Sequence, residues 1–308
     1  MLTCTEYLLP GTLHEALQAL CSAPEEARII AGATDTLPWA RQGRAGDVTG
    51  DHHQNTIIDI SRIAELKGCE IDGSRVRMGA NLVFQQFLED ETLMTHLPHM
   101  RFCAIWFADD QIRRQATLAG NLANASPAAD GTPAMVMMNA DVELARLEEG
   151  AIHRRLVPVG EFITGPGRTV RREDEIITAV ICDSAKDYGG AFEKVGQRRS
   201  LVISVACAAC CIKLTADNRR FEDVRIALGG VGPTPMHLDD VEDFLRGKPV
   251  SAAIIAEAAA MTPARVASRS RRDYREEVVR GFTQRAIVNA LADCRSAPQS
   301  LLEEVAHG

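Results

Sequence analysis

Apolar positions recur along this chain at two spacings, and the change from one to the other marks the predicted elements. Leu13, Ala16, Leu17 and Leu20 fall on one helical face, so Thr12 to Cys21 is predicted as a helix. Thr12 is placed to cap it, with Glu15 three residues later. Arg28–Ala31 and Ile57–Ile60 are short apolar runs that predict strands, separated by a polar loop, Gly43–Asn55, with Asp51, His52 and His53 at its tip. Further along, the pattern predicts a strand at Arg75–Ala80, helices at Val83–Leu88 and Leu93–Phe107, a long small-residue run to Pro133, and a helix at Ala134–Asn139. Strands are predicted at Val142–Leu147 and Glu175–Ile181. Lys186 to Gly190 predicts a loop near a domain boundary. Beyond it come strand-like runs at Leu201–Leu214 and Asp223–Gly229, then Ala-rich helix from Ser251 onward. This order predicts an α/β or α+β fold, with sheets covered by helices and a smaller C-terminal domain.

The chain has 308 residues, more than one compact core usually takes, so two or three packed domains are expected. Its 46% hydrophobic and 25% charged content is that of an ordinary globular protein. No apolar run approaches the ~20 residues of a membrane span, and the N-terminus lacks a signal-peptide layout, so a cytoplasmic location is the default expectation. A formal net charge of −8 gives no bulk support for a nucleic-acid partner. The basic stretch from Arg265 to Arg285 is interleaved with Glu276 and Glu277, as on a solvated or interfacial helix face.

Nine cysteines are present, and only Cys207, Cys210 and Cys211 lie close together. Strand alternation turns Cys207 and Cys211 to one face and Cys210 to the other. No set of four convergent thiolates exists, so the chain is not expected to carry its own iron–sulfur centre, and buried reduced cysteines are the better reading. His52–His53 has no partner ligand in view. Pro98 interrupts the His96–His99 pair, so neither pair suggests a metal site. No serine elbow or matched Cys–His pair is visible, and no catalytic side chain is assigned.

Two segments carry the candidate chemistry. Ile29-Ile30-Ala31-Gly32-Ala33-Thr34-Asp35-Thr36 runs from an apolar strand into small and then capping residues, with Pro38 early in the turn that follows. Small residues leave backbone N–H groups open to a phosphate, although a purely structural strand-to-helix turn would look the same. From Ala116 to Asp130 almost every residue is small or is Asn, Ser, Thr or Asp, which suits a winding segment beneath an extended ligand. Asp130 is placed either to cap the next helix or to accept from a ribose hydroxyl. No GxGxxG follows a strand and no GxxxxGK occurs, so Rossmann and Walker sites are unsupported.

With these loops the chain resembles the FAD-binding (medium) subunits of molybdenum hydroxylases, the xanthine dehydrogenase and carbon monoxide dehydrogenase flavoprotein family. The resemblance rests on Ile30 to Asp35, Gln111-Ile112-Arg113, Ala116 to Asn121, Asn124-Ala125-Ser126-Pro127 with Asp130, Thr164 to Gly167, Lys194, and Gly229 to Pro235. It implies an α+β chain: an FAD-binding domain over residues 1–184, with subdomains of about 1–60 and 61–184, then a C-terminal domain over 185–295 and a tail at 296–308. It implies that Ile29–Thr36 and Thr117, Leu118, Ala119, Gly120 and Asn121 hold the FAD pyrophosphate. Phe107, Asp130, Ile177 and Lys194 would contact other parts of FAD, with Lys194 as a plain surface cation the alternative. It also implies a large molybdenum-pterin subunit and a small subunit with [2Fe-2S] clusters, whose electrons would reach NAD or another acceptor through FAD. A self-sufficient flavin oxidoreductase of similar fold and a cofactor-free assembly module are the competing readings. Three residues depart from the family's pattern. Ala33 and Ala119 stand where a Gly-Gly pair is common, and Arg114 stands where Asn is frequent. An alanine forced into left-handed backbone at either place is expected to carry strain of roughly 1 kcal/mol.

Overall fold

The computed structural model describes residues 2–22, 26–41, 52–198, 201–268 and 270–294. The first sheet is parallel, with His52–Asp59 between Leu2–Leu8 and Ala27–Ile30. The predicted helix is there as Leu13–Ser22, and it buries Leu13, Ala16, Leu17 and Leu20. The second sheet is antiparallel, in the order Cys69–Asp72, Arg75–Gly79, Ile176–Asp183, Asp141–Glu148, Ala151–Pro158. Its last hairpin turns on Glu149 (φ 50°) and Gly150 (φ 80°), the paired positive dihedrals that a tight two-residue turn requires.

The third sheet is also antiparallel: Gly189–Val195, Ala206–Leu214, Phe221–Gly229, Met236–His237. Helix Arg272–Asp293 packs against its first two strands. Ala206–Leu214 is buried on both faces, which explains its unbroken apolar run. Cys207, Ala209 and Cys211 join the core of the first two sheets, whereas Ala206, Ala208, Cys210 and Ile212 join the core under the C-terminal helices. The predicted cysteine alternation therefore holds. The nine thiols are all free. The basic stretch enters the long helix at Arg272, where Arg272 pairs with Glu276 at 2.8 Å and Arg280 with Glu277 at 3.5 Å, whereas Arg265 lies in the separate turn Pro263–Arg265.

Several elements differ from expectation. Leu93–Phe107 is two helices, Glu91–His96 and Pro98–Trp106, because Pro98 has no N–H to continue the first and instead opens the second. The Asp90 carboxylate caps the former by accepting from the N–H groups of Thr92 and Leu93. The polar loop expected to reach Asn55 ends earlier, since His52 to Asn55 belong to the central strand of the first sheet. The His53 ring lies between the Thr3 and Thr5 hydroxyls at 3.0 and 3.1 Å, a cross-strand contact. Asp51 and the tail lie outside the described residues. Gly189 and Gly190 open a strand and do not finish a loop, and the strand expected from Leu201 begins at Ala206. Among the described residues no helix is long and apolar enough to cross a membrane.

Candidate dinucleotide-binding site

The chain leaves strand Ala27–Ile30, passes through residues 31 to 35 and enters the short helix Thr36–Arg41. None of the N–H groups of Gly32, Ala33, Thr34 and Asp35 donates to a backbone carbonyl among the described residues. The carbonyls of Ala33 and Asp35 are used, by Leu37 N–H at 3.1 Å and Trp39 N–H at 2.9 Å. The segment thus turns its acceptors into the helix and leaves its donors free. Ala33 sits at φ 52°, in the left-handed region, whereas Ala119 lies within helix Leu118–Ala123 and has no positive φ. The anticipated strain therefore applies at Ala33 only.

The second segment is built around the Thr117 cap. Its hydroxyl accepts from Gly120 N–H at 3.0 Å and starts helix Leu118–Ala123. The Asn121 side-chain oxygen accepts from Gly131 N–H at 3.1 Å, tying this helix to the next. The Asn124 amide donates to the Asp35 carboxylate, joining the second segment to the first. Burial lifts the Asp35 carboxyl above its ordinary range, and the Asn124 bond works against that shift. The two segments also touch at Gly32, where a Cβ would lie 1.8 Å from the carbonyl oxygen of Gln115.

Between the segments lies a cavity of about 370 Å³. All of Ile29 to Thr36 line it, together with Phe107, Thr117, Gly120, Asn121, Asp130 and Lys194. Residues far apart in sequence are thus brought to one place. Leu118, Ala119 and Ile177 do not line it. Once the helix starts at Leu118, its turn carries Leu118, Ala119 and Leu122 into the core and leaves Thr117, Gly120 and Asn121 at the cavity. Ile177 is buried in the central strand of the second sheet, opposite Leu144.

Lys194 is no surface cation. Its side chain is 3% exposed, and its ammonium donates to the Asp130 carboxylate at 2.5 Å and to the Trp106 carbonyl at 3.3 Å. Ser204 donates to the other Asp130 oxygen at 2.5 Å. Asp130 therefore makes no capping bond, although it directly precedes helix Gly131–Val136. Burial raises the Asp130 carboxyl, opposed by Lys194 and Ser204. Lys194 is the lone cation among the described residues lining the cavity. Since Asp130 holds that charge, a phosphate in this cavity depends on backbone dipoles.

The Phe107 ring stacks on Phe84 with centroids 3.8 Å apart. The Phe107 backbone carbonyl accepts from the Arg113 guanidinium at 2.9 Å. Further lining residues lay outside the sequence-based reading: Trp39, and Leu201, Val202 and Ile203. Ile203 is 75% exposed, the largest value among the exposed large hydrophobic residues. Only such exposed apolar character beside a loop could have marked them, and a sequence does not display exposure.

Open N–H groups on the first turn, a stacked aromatic and a buried ion pair along one cavity make it a candidate site for a phosphorylated dinucleotide. Comparison with known proteins specifies which class. Residues 3–182 match the model of the FAD binding domain in molybdopterin dehydrogenase, and residues 191–290 that of the CO dehydrogenase flavoprotein C-terminal domain. The chain is 31% identical over 299 residues to the xanthine dehydrogenase FAD-binding subunit of Escherichia coli O157:H7, covering 93% of this chain and 96% of that one. It is 28% identical over 295 residues to the carbon monoxide dehydrogenase medium chain of Hydrogenophaga pseudoflava, covering 94% and 98%. A solved structure of carbon monoxide dehydrogenase from Hydrogenophaga pseudoflava, lacking the Mo-pyranopterin moiety of its molybdenum cofactor, superposes with a TM-score of 0.84 at 26% identity, covering 95% of this chain and 99% of that chain. The protein belongs to the family of FAD-binding medium subunits of molybdenum hydroxylases, and is an FAD-dependent oxidoreductase subunit.

Proposed function

We propose that this chain positions FAD between its two small-residue turns and works as the flavin subunit of a heteromeric molybdenum hydroxylase or dehydrogenase. A large molybdenum-pterin subunit and a small [2Fe-2S] subunit would complete the assembly, in the cytoplasm. Electrons would run from the small subunit's clusters through this subunit to NAD or another acceptor. The observation that carries the reading is the run of open N–H groups from Gly32 to Asp35, on a turn that lines a cavity Thr117, Gly120 and Asn121 also line. The FAD-binding unit is taken to be residues 1–184 and the C-terminal unit 185–295.

When bound, FAD supplies the redox chemistry, and the protein supplies placement and electrostatics. The N–H groups of the first turn hold the diphosphate without a paired cation. Phe107, stacked on Phe84, gives a flat apolar wall. Asp130, itself oriented by the Ser204 hydroxyl, holds the Lys194 ammonium at the cavity wall, where the ion pair would bear on the electrostatics of the bound cofactor. Leu118, Ala119 and Ile177 are assigned a supporting role beneath these contacts, from the core.

The test is expression with and without the expected partner subunits, followed by visible spectroscopy and metal analysis. One flavin per chain, with molybdenum and iron co-purifying, supports the reading. Flavin without any metal-bearing partner would favour a self-sufficient flavoprotein, and a colourless chain that no FAD titration can load would favour an assembly module.

A further inference from the structure

A second cavity, also of about 370 Å³, adjoins the first, and Ala31, Gly32 and Thr117 wall both. At this shared wall Gly32 packs on the Gln115 backbone so closely that there is no room even for a methyl group. In a chain of formal net charge −8, the wall of the second cavity holds two cations, Lys67 and Arg114, and no carboxylate. Among the described residues Glu89 pairs with Arg114, 3.2 Å from its guanidinium, and both side chains are more than half exposed. Such a pair is worth little and is readily exchanged for a better anion.

Asn81 adds a second, independent feature. Its side-chain amide donates to the Ile60 carbonyl at 2.7 Å, which fixes the orientation, and leaves the amide oxygen buried without a partner. Its own N–H donates to the Leu66 carbonyl at 2.7 Å. A buried acceptor held in place without a donor is destabilising unless something supplies one. Two cations with one waiting acceptor match a ligand that carries phosphate and a hydroxyl or amine.

We propose that this second cavity binds a small molecule that carries phosphate together with a hydroxyl or amine, the phosphate on Lys67 and Arg114 and the donor on Asn81. Because the ligand shares the Gly32 and Thr117 wall with the first cavity, its binding stiffens the turns that face FAD, and each ligand tightens the other. That coupling rests on the flavin reading; the binding does not.

The probe is ADP, titrated calorimetrically into the FAD-loaded chain while flavin absorbance is followed. Saturable one-to-one binding with flavin retained is expected. It should weaken at least tenfold in the Lys67→Gln/Arg114→Gln variant, and weaken with added salt. No saturable binding, or affinity unchanged in that variant, overturns the proposal. Release of flavin in step with ADP overturns it as well, since ADP would then be competing for the dinucleotide's own place in the first cavity. A chain that takes up no FAD refutes the flavin reading alone. The same titration and variant then still decide the second cavity.

Discussion

Replacing Gly32 with alanine examines the junction on which the two turns depend. The added Cβ would lie 1.8 Å from the Gln115 carbonyl oxygen, 2.5 Å from its carbon and 3.2 Å from the Ala116 nitrogen. All three obstacles are backbone, so no rotamer change removes them, and ordinary contact requires the segments to separate by roughly 1.6 Å. Overpacking of that kind costs about 1–3 kcal/mol of stability. The same movement stretches an N–H to phosphate bond from about 2.9 Å beyond any useful length. Losing two such charge-assisted bonds at about 1.5–3 kcal/mol each weakens FAD binding by at least about a hundredfold. The assay is quenching of flavin fluorescence on titration, with the melting temperature of the FAD-free chain recorded beside it. Ala33→Gly is the matched control: it relieves a φ of 52° worth about 1 kcal/mol while adding unfolded-state freedom of similar size. Its stability should stay within about 1 kcal/mol of the parent and its FAD affinity should hold. Wild-type FAD affinity in the Gly32→Ala chain would refute the reasoning.

Three further outcomes follow from the same structure. Lys194→Met strands a buried carboxylate and should cost about 3–5 kcal/mol in urea denaturation, with much of the loss recovered when Asp130→Asn is added; a single-variant loss below about 1 kcal/mol contradicts the ion pair. Thr117→Val removes the helix cap and should cost about 1 kcal/mol; an unchanged melting temperature would show that the Gly120 bond contributes nothing. Burial pulls the His237 ring down, but Glu242 at 2.7 Å and Asp239 outweigh it and hold the folded-state value above the ordinary one. A raised folded pKa means stability that is fully present below about pH 6.5 and is lost as pH climbs through the folded value. The melting-temperature gap between the parent and His237→Gln should therefore be wide near pH 5.5 and narrow toward pH 8, and a pH-independent gap contradicts the assignment.

The sequence made the elements with one clear periodicity readable. Leu13 to Leu20 declared its helix, and the apolar run through Cys207 to Cys211 declared a strand buried on both faces. Strands Leu2–Leu8 and Ala151–Pro158 escaped notice because they lie at sheet edges, where most side chains are exposed and alternation is faint. Gly189 and Gly190 suggest a turn, yet their glycines serve close packing: a Cβ on them would lie 2.1 Å from the Ala290 carbonyl oxygen and 2.3 Å from the His99 nitrogen. The two cavity-lining turns were legible because small residues beside capping side chains state a local chemistry. Which face of helix Leu118–Ala123 meets the cavity was not, since that depends on where the helix starts. Ser204 and Trp106, which complete the surroundings of Lys194, are set by tertiary packing alone.

The most direct measurement is a crystal structure of the FAD-loaded chain. The account predicts the diphosphate within hydrogen-bond distance of N–H groups of the turn from Gly32 to Asp35, with the Thr117–Asn121 segment against its other side. A flavin dinucleotide found elsewhere on the chain, or those N–H groups bonded to the protein itself in the complex, would contradict it.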